Sequence, residues 1–206
     1  ERVTLLTPSM GGNASRGLVA ALNYSGVNAA AAPEPGKEEL KRGRANSSSK
    51  ECLPLQLTLG TMLRHLDERE NDDELLVYFM PEASGPCRFG QYNVLLNNVI
   101  EDQEIEDTAV LTLSSDNGYA GLGAKFTMRA WQSVIAADVL DDIESTILAL
   151  AENKEQALEK YRESRDLIFD ALNSHKASDV KYVLKEESER LSKLELKQTY
   201  EAAKKI

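Results

Sequence analysis

Residues 75–80, Leu75-Leu76-Val77-Tyr78-Phe79-Met80, are the stretch that decides the fold. An apolar run of this length, ended by Pro81, predicts a strand that is buried on both faces. Apolar residues at helical spacing then predict a helix over 88–101, and residues 108–113 predict the next strand. A strand, a helix and a second strand in this order are typical of a parallel sheet.

The same alternation extends towards the N-terminus. Strands are predicted over 2–8 and 27–32, and helices over 14–24 and 52–70, while the polar segment 36–50 indicates only a helical turn at 38–42. The sequence therefore predicts an α/β fold, a flavodoxin- or Rossmann-like parallel sheet of about four strands with helices on both faces. Precedent for such folds favours the strand order 2-1-3-4.

The character of the chain changes after residue 123. Residues 125–206 contain neither glycine nor proline, and their apolar residues recur at helical spacing with breaks at Asn153 and 173–175. This pattern predicts an α/β domain over 1–123 and a helical extension over 124–206. The extension is expected to cover one face of the sheet, to pack on a neighbouring segment of a larger protein, or to pair two copies.

Charge and composition limit the function classes. The 206 residues carry a net charge of -10, and the acidic body has no basic stripe, which argues against nucleic-acid or anionic-membrane binding. No apolar run is long enough to span a bilayer, and no secretory signal is visible. With two cysteines, the expected location is the reducing cytoplasm. Because the first residue is Glu1, the chain is expected to be part of a larger protein.

Both cysteines stand at the start of a predicted helix. Cys52 follows the serine-rich loop 46–50, and Cys87 follows Gly85-Pro86 directly after a buried strand. Free N–H groups at a helix start favour a thiolate, the form that binds metals, and these loops are expected at the carboxyl edge of the sheet, where ligands bind. The pair indicates an iron–sulfur or zinc site. The structural alternative is two thiols that act as small apolar groups.

A second candidate binding segment follows the first predicted strand. Ser9, Gly11 and Gly12 lie between that strand and the helix 14–24, a position that can hold a phosphate group. The spacing matches neither a dinucleotide fingerprint nor a phosphate-binding P-loop, so an ordinary turn is the alternative. Near the cysteines, Glu51 and Arg88 are candidates to tune a cluster or to hold an acyl or phosphate group, with solvated loop charges as the alternative.

Two segments resemble a known family. Residues 49–60 (SKECLPLQLTLG) and 79–92 (FMPEASGPCRFGQY) resemble the 2-hydroxyacyl-CoA dehydratase family, and most closely its large activator or activase-related proteins. The opening residues 5–11 (LLTPSMG) are similar to the same group. The resemblance covers about residues 2–120 and does not extend into the helical extension.

The resemblance implies a specific chemistry. Members are cytoplasmic, oxygen-sensitive proteins of anaerobic metabolism, in which three cysteines per subunit hold a [4Fe-4S] cluster and an ATP-hydrolysing activator supplies a low-potential electron for dehydration. Cys52 and Cys87 match the ligand segments, with Glu51 and Arg88 as their neighbours. A third cysteine is missing here. It is expected from another segment of the parent protein, or two copies share one bridging cluster; ATP would bind only to other segments.

Two functions follow. The first is an iron–sulfur redox segment that assists ATP-driven electron transfer for the dehydration of a 2-hydroxyacyl-CoA, inactive as an isolated piece. Its partners would be other segments of the parent protein or a dehydratase. The second is a non-catalytic α/β module with structural cysteines that binds a ligand such as acyl-CoA or drives assembly, for example of a homodimer.

Overall fold

A four-stranded, all-parallel sheet forms the centre of the α/β region. The computed structural model of the chain describes residues 3–9, 11–69, 73–113, 121–174 and 177–197, and only the backbone of residues 177 and 178. The strands lie in the order β2-β1-β3-β4, which confirms the predicted order 2-1-3-4. Their bounds are β1 Val3–Thr7, β2 Ala29–Ala31, β3 Leu75–Phe79 and β4 Thr108–Leu111.

All four strands are shorter than predicted, and β1 and β3 each end one residue early, at Thr7 and Phe79. β2 begins at Ala29 rather than residue 27 because the Val27 N–H donates to the Leu22 carbonyl and so belongs to the preceding turn. β4 ends at Leu111, two residues before the predicted end. Residue 2 of the first predicted strand and residue 70 of the predicted helix 52–70 lie outside the described residues.

Alternate residues of the strands face two different helical layers. Leu6, Leu76 and Tyr78 pack on helices α3 (Leu53–Glu68) and α4 (Tyr92–Asp102). Leu5 and Phe79 face the other side, where helix α1 (Gly12–Tyr24) lies. This alternation follows from the two-residue period of a strand, and it confirms the prediction of helices on both faces.

The segment between β2 and α3 is more ordered than the sequence indicates. Instead of a turn at 38–42, the chain forms helix α2 (Lys37–Ala45), which packs closely against α3. A Cβ atom at Gly43 would lie 1.7 Å from the Gln56 carbonyl oxygen, and one at Gly60 would lie 1.7 Å from that of Glu39. Only glycine fits at these two points, where the helices approach closely. The contact fixes the position of α3 against α2.

The helical extension consists of α5 (Gly123–Leu150), α6 (Lys154–Asn173) and α7 (Ala177–Leu191). Asn153 begins α6 as predicted, since its side chain accepts a hydrogen bond from the Gln156 N–H. Residue 175, within the predicted second break, lies outside the described residues. Phe126, near the start of α5, joins the core on the α1 face of the sheet. The start of α5 thus reaches the sheet core, while α5 and α6 pack on α1, and the division into two domains stays a prediction.

α5 runs antiparallel to α1. Asn13 at the start of α1 contacts Asp141, and Tyr24 at its end lies against Arg129, whose guanidinium carbon is 4.2 Å from the ring centre. α1 starts at the carboxyl edge of the sheet and runs away from it. The antiparallel α5 therefore runs towards that edge and continues past it. α6 and α7 pack beside α5, and the inner sides of the three helices share one apolar core.

Candidate functional site

The loop that carries Cys52 ends at the start of α3. Cys52 is the residue that caps this helix, and Pro54 occupies the first turn, where a proline costs no hydrogen bond. α3 leads into β3, so its start lies at the carboxyl edge of the sheet. The Cys52 side chain is half-buried and packs against the apolar layer formed by α3 and α4.

The loop that carries Cys87 reaches the same edge from β3. Cys87 is exposed and precedes a 3₁₀ turn, Arg88–Gln91, from which α4 continues at Tyr92. The predicted single helix 88–101 is therefore a 3₁₀ turn followed by an α-helix. The reason is local: a Cβ at Gly90 would lie 1.9 Å from the Ala83 carbonyl oxygen, so the loop folds back onto this turn and constrains it.

Tyr92 connects the two loops. Its hydroxyl oxygen lies 2.7 Å from the Cys52 Sγ, and its ring meets Phe89 edge-on with centroids 5.3 Å apart. Burial, followed by the hydrogen bond with Cys52 and the charges of Cys52 and Cys87, raises the pKa of Tyr92. The phenol therefore keeps its proton and is able to donate it in a hydrogen bond to a Cys52 thiolate. We call the group of Cys52, Cys87, Arg88 and Tyr92 the cysteine corner.

Arg88 reaches the backbone of the Cys52 loop. Its Nη1 donates to the Lys50 carbonyl oxygen at 3.2 Å and lies 3.9 Å from the Glu51 Oε2. The structure thus brings together Arg88 and Glu51, the sequence neighbours of the two cysteines. The Arg88 side chain is 69% exposed, so its ion pair with Glu51 is weak and the guanidinium stays accessible to an anionic group.

The cysteine corner offers two sulfur ligands. Within the described part of the chain, no group of three or more His, Cys, Asp or Glu side chains is placed to hold a metal ion. A [4Fe-4S] cluster usually takes four protein ligands. The donor chemistry fits such a cluster, but these residues supply half of its ligands.

Ser9, Gly11 and Gly12 lie at the start of α1, on the other face of the sheet. Gly11 has φ 102°, a left-handed backbone conformation that favours glycine. A Cβ at Gly12 would lie 3.4 Å from a carboxylate oxygen of Glu34. This carboxylate opposes a phosphate group at the same helix start, and phosphate binding there stays a prediction.

The first turn of α1 is also covered by the helical extension. Asn13 is 4% exposed, and its side-chain amide donates to Asp141 Oδ1 at 2.6 Å and to the Tyr161 hydroxyl at 2.9 Å. Tyr161 in turn donates to Glu144 at 3.5 Å. We call Asn13, Asp141 and Tyr161 the α1 corner. Its Asp141 is a second carboxylate, after Glu34, beside the start of α1.

Comparison with known proteins adds no family assignment. The chain matches no protein-family model, no curated protein and no solved structure with which it was compared. The likeness of the segments 49–60 and 79–92 to the dehydratase family therefore stays a prediction. Of the described helices, none combines the length and the apolar character that a membrane span requires.

Sequence reasoning missed the residues that organise both corners. Tyr92 was expected only as an apolar position of its helix, and Asn13 only as part of a turn. The usable signal for Tyr92 is that a buried tyrosine needs a partner for its hydroxyl. For Asn13, no sequence signal points to Asp141, which lies 128 residues later in the chain.

Proposed function

We propose that this chain is the iron–sulfur redox segment of a cytoplasmic protein related to the activators of 2-hydroxyacyl-CoA dehydratases. In this function it assists ATP-driven, low-potential electron transfer. ATP hydrolysis belongs to other segments of the parent protein or to a partner.

The observation that carries the proposal is the meeting of both cysteine loops at one edge of the sheet. The Tyr92 hydroxyl contacts Cys52, and the charge of Cys87 contributes to the raised pKa of Tyr92. Arg88 donates a hydrogen bond to the backbone of the Cys52 loop. Residues 35 positions apart in the sequence thus lie at one corner, each at a helix start. Thiols in such a place, with Cys87 exposed and Cys52 half-buried, are suited to metal binding.

The residues of the corner have distinct tasks in this function. Cys52 and Cys87 would hold one side of a [4Fe-4S] cluster, whose role when bound is to accept and release one electron. The Tyr92 hydroxyl donates to the Cys52 sulfur and fixes its orientation. The Arg88 guanidinium, which is mostly exposed, adds positive charge beside an anionic group. Apolar residues of α3 and α4 behind Cys52 exclude water from that side.

The alternative is a non-catalytic binding or assembly module with structural cysteines. One observation favours it for Cys52, which packs against the apolar layer of α3 and α4. It does not account for Cys87, because an exposed thiol contributes nothing to the packing of a core. The two functions therefore differ most in what they require of Cys87.

Anaerobic reconstitution with iron and sulfide tests the proposal. We expect about two irons per chain if two copies share one [4Fe-4S] cluster, or about four if each chain holds its own with other ligands. Iron and acid-labile sulfide are measured together with the visible absorption spectrum and the oligomeric mass.

Three variants locate the cluster. Cys52→Ser and Cys87→Ser should each lose most of the bound iron, whereas Ser49→Ala, in the same exposed loop as Cys52, should keep it. Circular dichroism confirms that each variant is folded. If folded wild-type chain binds no iron alone and none together with the other segments of its parent protein, the redox proposal is wrong. Equal iron content in Cys87→Ser and wild type would also contradict it.

A further inference from the structure

The outer side of α5 carries an apolar ridge. Five large apolar side chains on this side are between 52% and 64% exposed: Met128, Trp131, Val134, Ile135 and Val139. Their neighbours on the inner side of the helix, such as Ala136 and Leu140, are buried in the core of the extension. We call these five residues the α5 ridge. An apolar surface of this size on a soluble protein marks an interface.

An apolar groove borders the ridge, between α5 and α7. It consists of two adjoining cavities of about 370 Å³ and 250 Å³, which share Val139, Ile143, Ser188 and Leu191. Along α5 the groove extends from Gln132 to Ile147, roughly 22 Å at the helical rise. The ridge is roughly 17 Å long. A ridge and a groove of similar length therefore lie side by side on one surface.

We propose that this surface binds a second copy of the chain, with the two α5 helices antiparallel. A two-fold dimer requires one patch that faces its own copy, and the α5 ridge meets this requirement when its midpoint lies on the axis, so that ridge packs on ridge and each groove borders the contact. The exposed area of the ridge and the neighbouring Leu184 is roughly 700 Å², close to the 800 Å² that each partner contributes to a stable interface.

The charges along α5 favour the same arrangement. Lys125 precedes the ridge, Asp138 lies within it between Ile135 and Val139, and Asp142 follows it; all three are exposed. A two-fold axis through the middle of the ridge places Lys125 of one copy opposite Asp142 of the other. A parallel arrangement would instead bring equal charges together. Charge therefore selects the antiparallel orientation.

This inference does not depend on iron. The groove and the ridge have no residue in common with the cysteine corner, so the dimer and the cluster are separate properties of the chain. Loss of one in a variant should leave the other measurable. A cluster shared between copies would need a second interface, through the cysteine corners.

The single tryptophan of the chain gives a direct readout, because Trp131 lies within the ridge. We expect sedimentation equilibrium between about 1 and 100 μM to show a monomer–dimer equilibrium. Emission of Trp131 should shift to shorter wavelength with the same midpoint, because the exposed indole becomes buried. A chain that stays monomeric throughout this range with unchanged emission would overturn the proposal.

Two matched variants separate the ridge from general surface effects. Ile135→Arg, in the ridge, should raise the dimer Kd at least about tenfold. Tyr182→Arg, on α7, changes a side chain that is 64% exposed and does not line the groove, and it should change the Kd by less than about twofold. Equal Kd values for the two variants would contradict the assignment of the ridge.

A charge exchange tests the orientation. Lys125→Glu should weaken the dimer about threefold, and the double variant Lys125→Glu/Asp142→Lys should restore it, because the pair is rebuilt with opposite signs. If the second substitution weakens the dimer further, the antiparallel arrangement is wrong.

Discussion

The cysteine corner and the α1 corner are both strand-to-helix junctions at the carboxyl edge of one sheet, yet they differ in what covers them. At the α1 corner, Asn13 is buried under Asp141 and Tyr161 of the helical extension. At the cysteine corner, Cys87 and Arg88 remain exposed, and Cys52 is only half-covered by Tyr92. The comparison teaches that the helical extension closes one helix start at this edge of the sheet and leaves the other open.

The largest expected effect concerns the support of the open corner. Gly60→Ala should lower the free energy of unfolding by about 3 kcal/mol or more, because its Cβ would lie 1.7 Å from the Glu39 carbonyl oxygen. α2 and α3 would separate, and the start of α3 with Cys52 would shift. Urea unfolding followed by circular dichroism measures the change.

The control for this prediction lies in the Cys87 loop. A Cβ at Gly85 meets no atom within 4 Å, so Gly85→Ala should change stability by less than about 0.5 kcal/mol. If Gly60→Ala were as mild as Gly85→Ala, the contact between α2 and α3 would not support the corner.

The closed corner should show the next largest effect. Asn13→Ala removes the amide shared by Asp141 and Tyr161 and should cost about 2 kcal/mol, because buried polar groups lose their partner. Asn97→Ala, at an exposed position of α4, should cost less than about 0.5 kcal/mol. Urea unfolding of the two variants measures both values. Similar values would mean that the extension does not close the start of α1.

A smaller effect at the open corner depends on pH. Burial raises the pKa of Tyr92 above the ordinary value near 10, so the folded chain holds this proton more strongly than the unfolded chain. Ionisation of Tyr92 therefore leaves the free energy of unfolding unchanged well below pH 10 and lowers it as the pH rises above 10. Tyr92→Phe should reduce this fall by about 1 kcal/mol per pH unit between pH 10 and 11.5.

The measurement is urea unfolding of wild type and Tyr92→Phe at closely spaced pH values. At pH 7 the free energy of unfolding of the variant should be only about 1 kcal/mol lower than that of wild type, because one hydrogen bond with Cys52 is lost. Parallel pH profiles of the two proteins would show that the Tyr92 hydroxyl is not protected by burial.

Arg88→Ala should have the smallest effect on stability. Its pair with Glu51 spans 3.9 Å and is exposed on the Arg88 side, so we expect a loss below about 0.5 kcal/mol in urea unfolding. A loss above about 1.5 kcal/mol would mean that Arg88 holds the two cysteine loops together, and the corner would then be less open than its exposure indicates.

The sheet was predictable because its information is local. The apolar run 75–80 and its counterparts repeat at strand length, and the order 2-1-3-4, predicted from precedent for such folds, is the one observed. Strand ends were less predictable. The β-branched side chain of Val27 favours a strand, but its N–H donates to the turn before β2, so β2 begins later. The full length of helix α2 was missed because its sequence is polar, and its close packing on α3 depends on one glycine from each helix, Gly43 and Gly60.

The candidate site was predictable in part for the same reason. The position of Cys52 before Leu53-Pro54 and of Cys87 after a buried strand located both thiols at helix starts. The predicted neighbours Glu51 and Arg88 lie next to the cysteines in sequence, so their proximity needed no long-range information. The cluster itself, its remaining ligands and its partners stay predictions.

By itself, the sequence determined the parallel sheet, the placement of both cysteines at helix starts and the helical character of residues after 123. These features depend on periodicity and on residues a few positions apart. Only the tertiary structure decided that Tyr92 bonds to Cys52, that Asp141 and Tyr161 close the start of α1, and which side of α5 stays exposed. Each of these depends on contacts between residues that are distant in the chain, and such contacts are fixed by packing and not by local pattern.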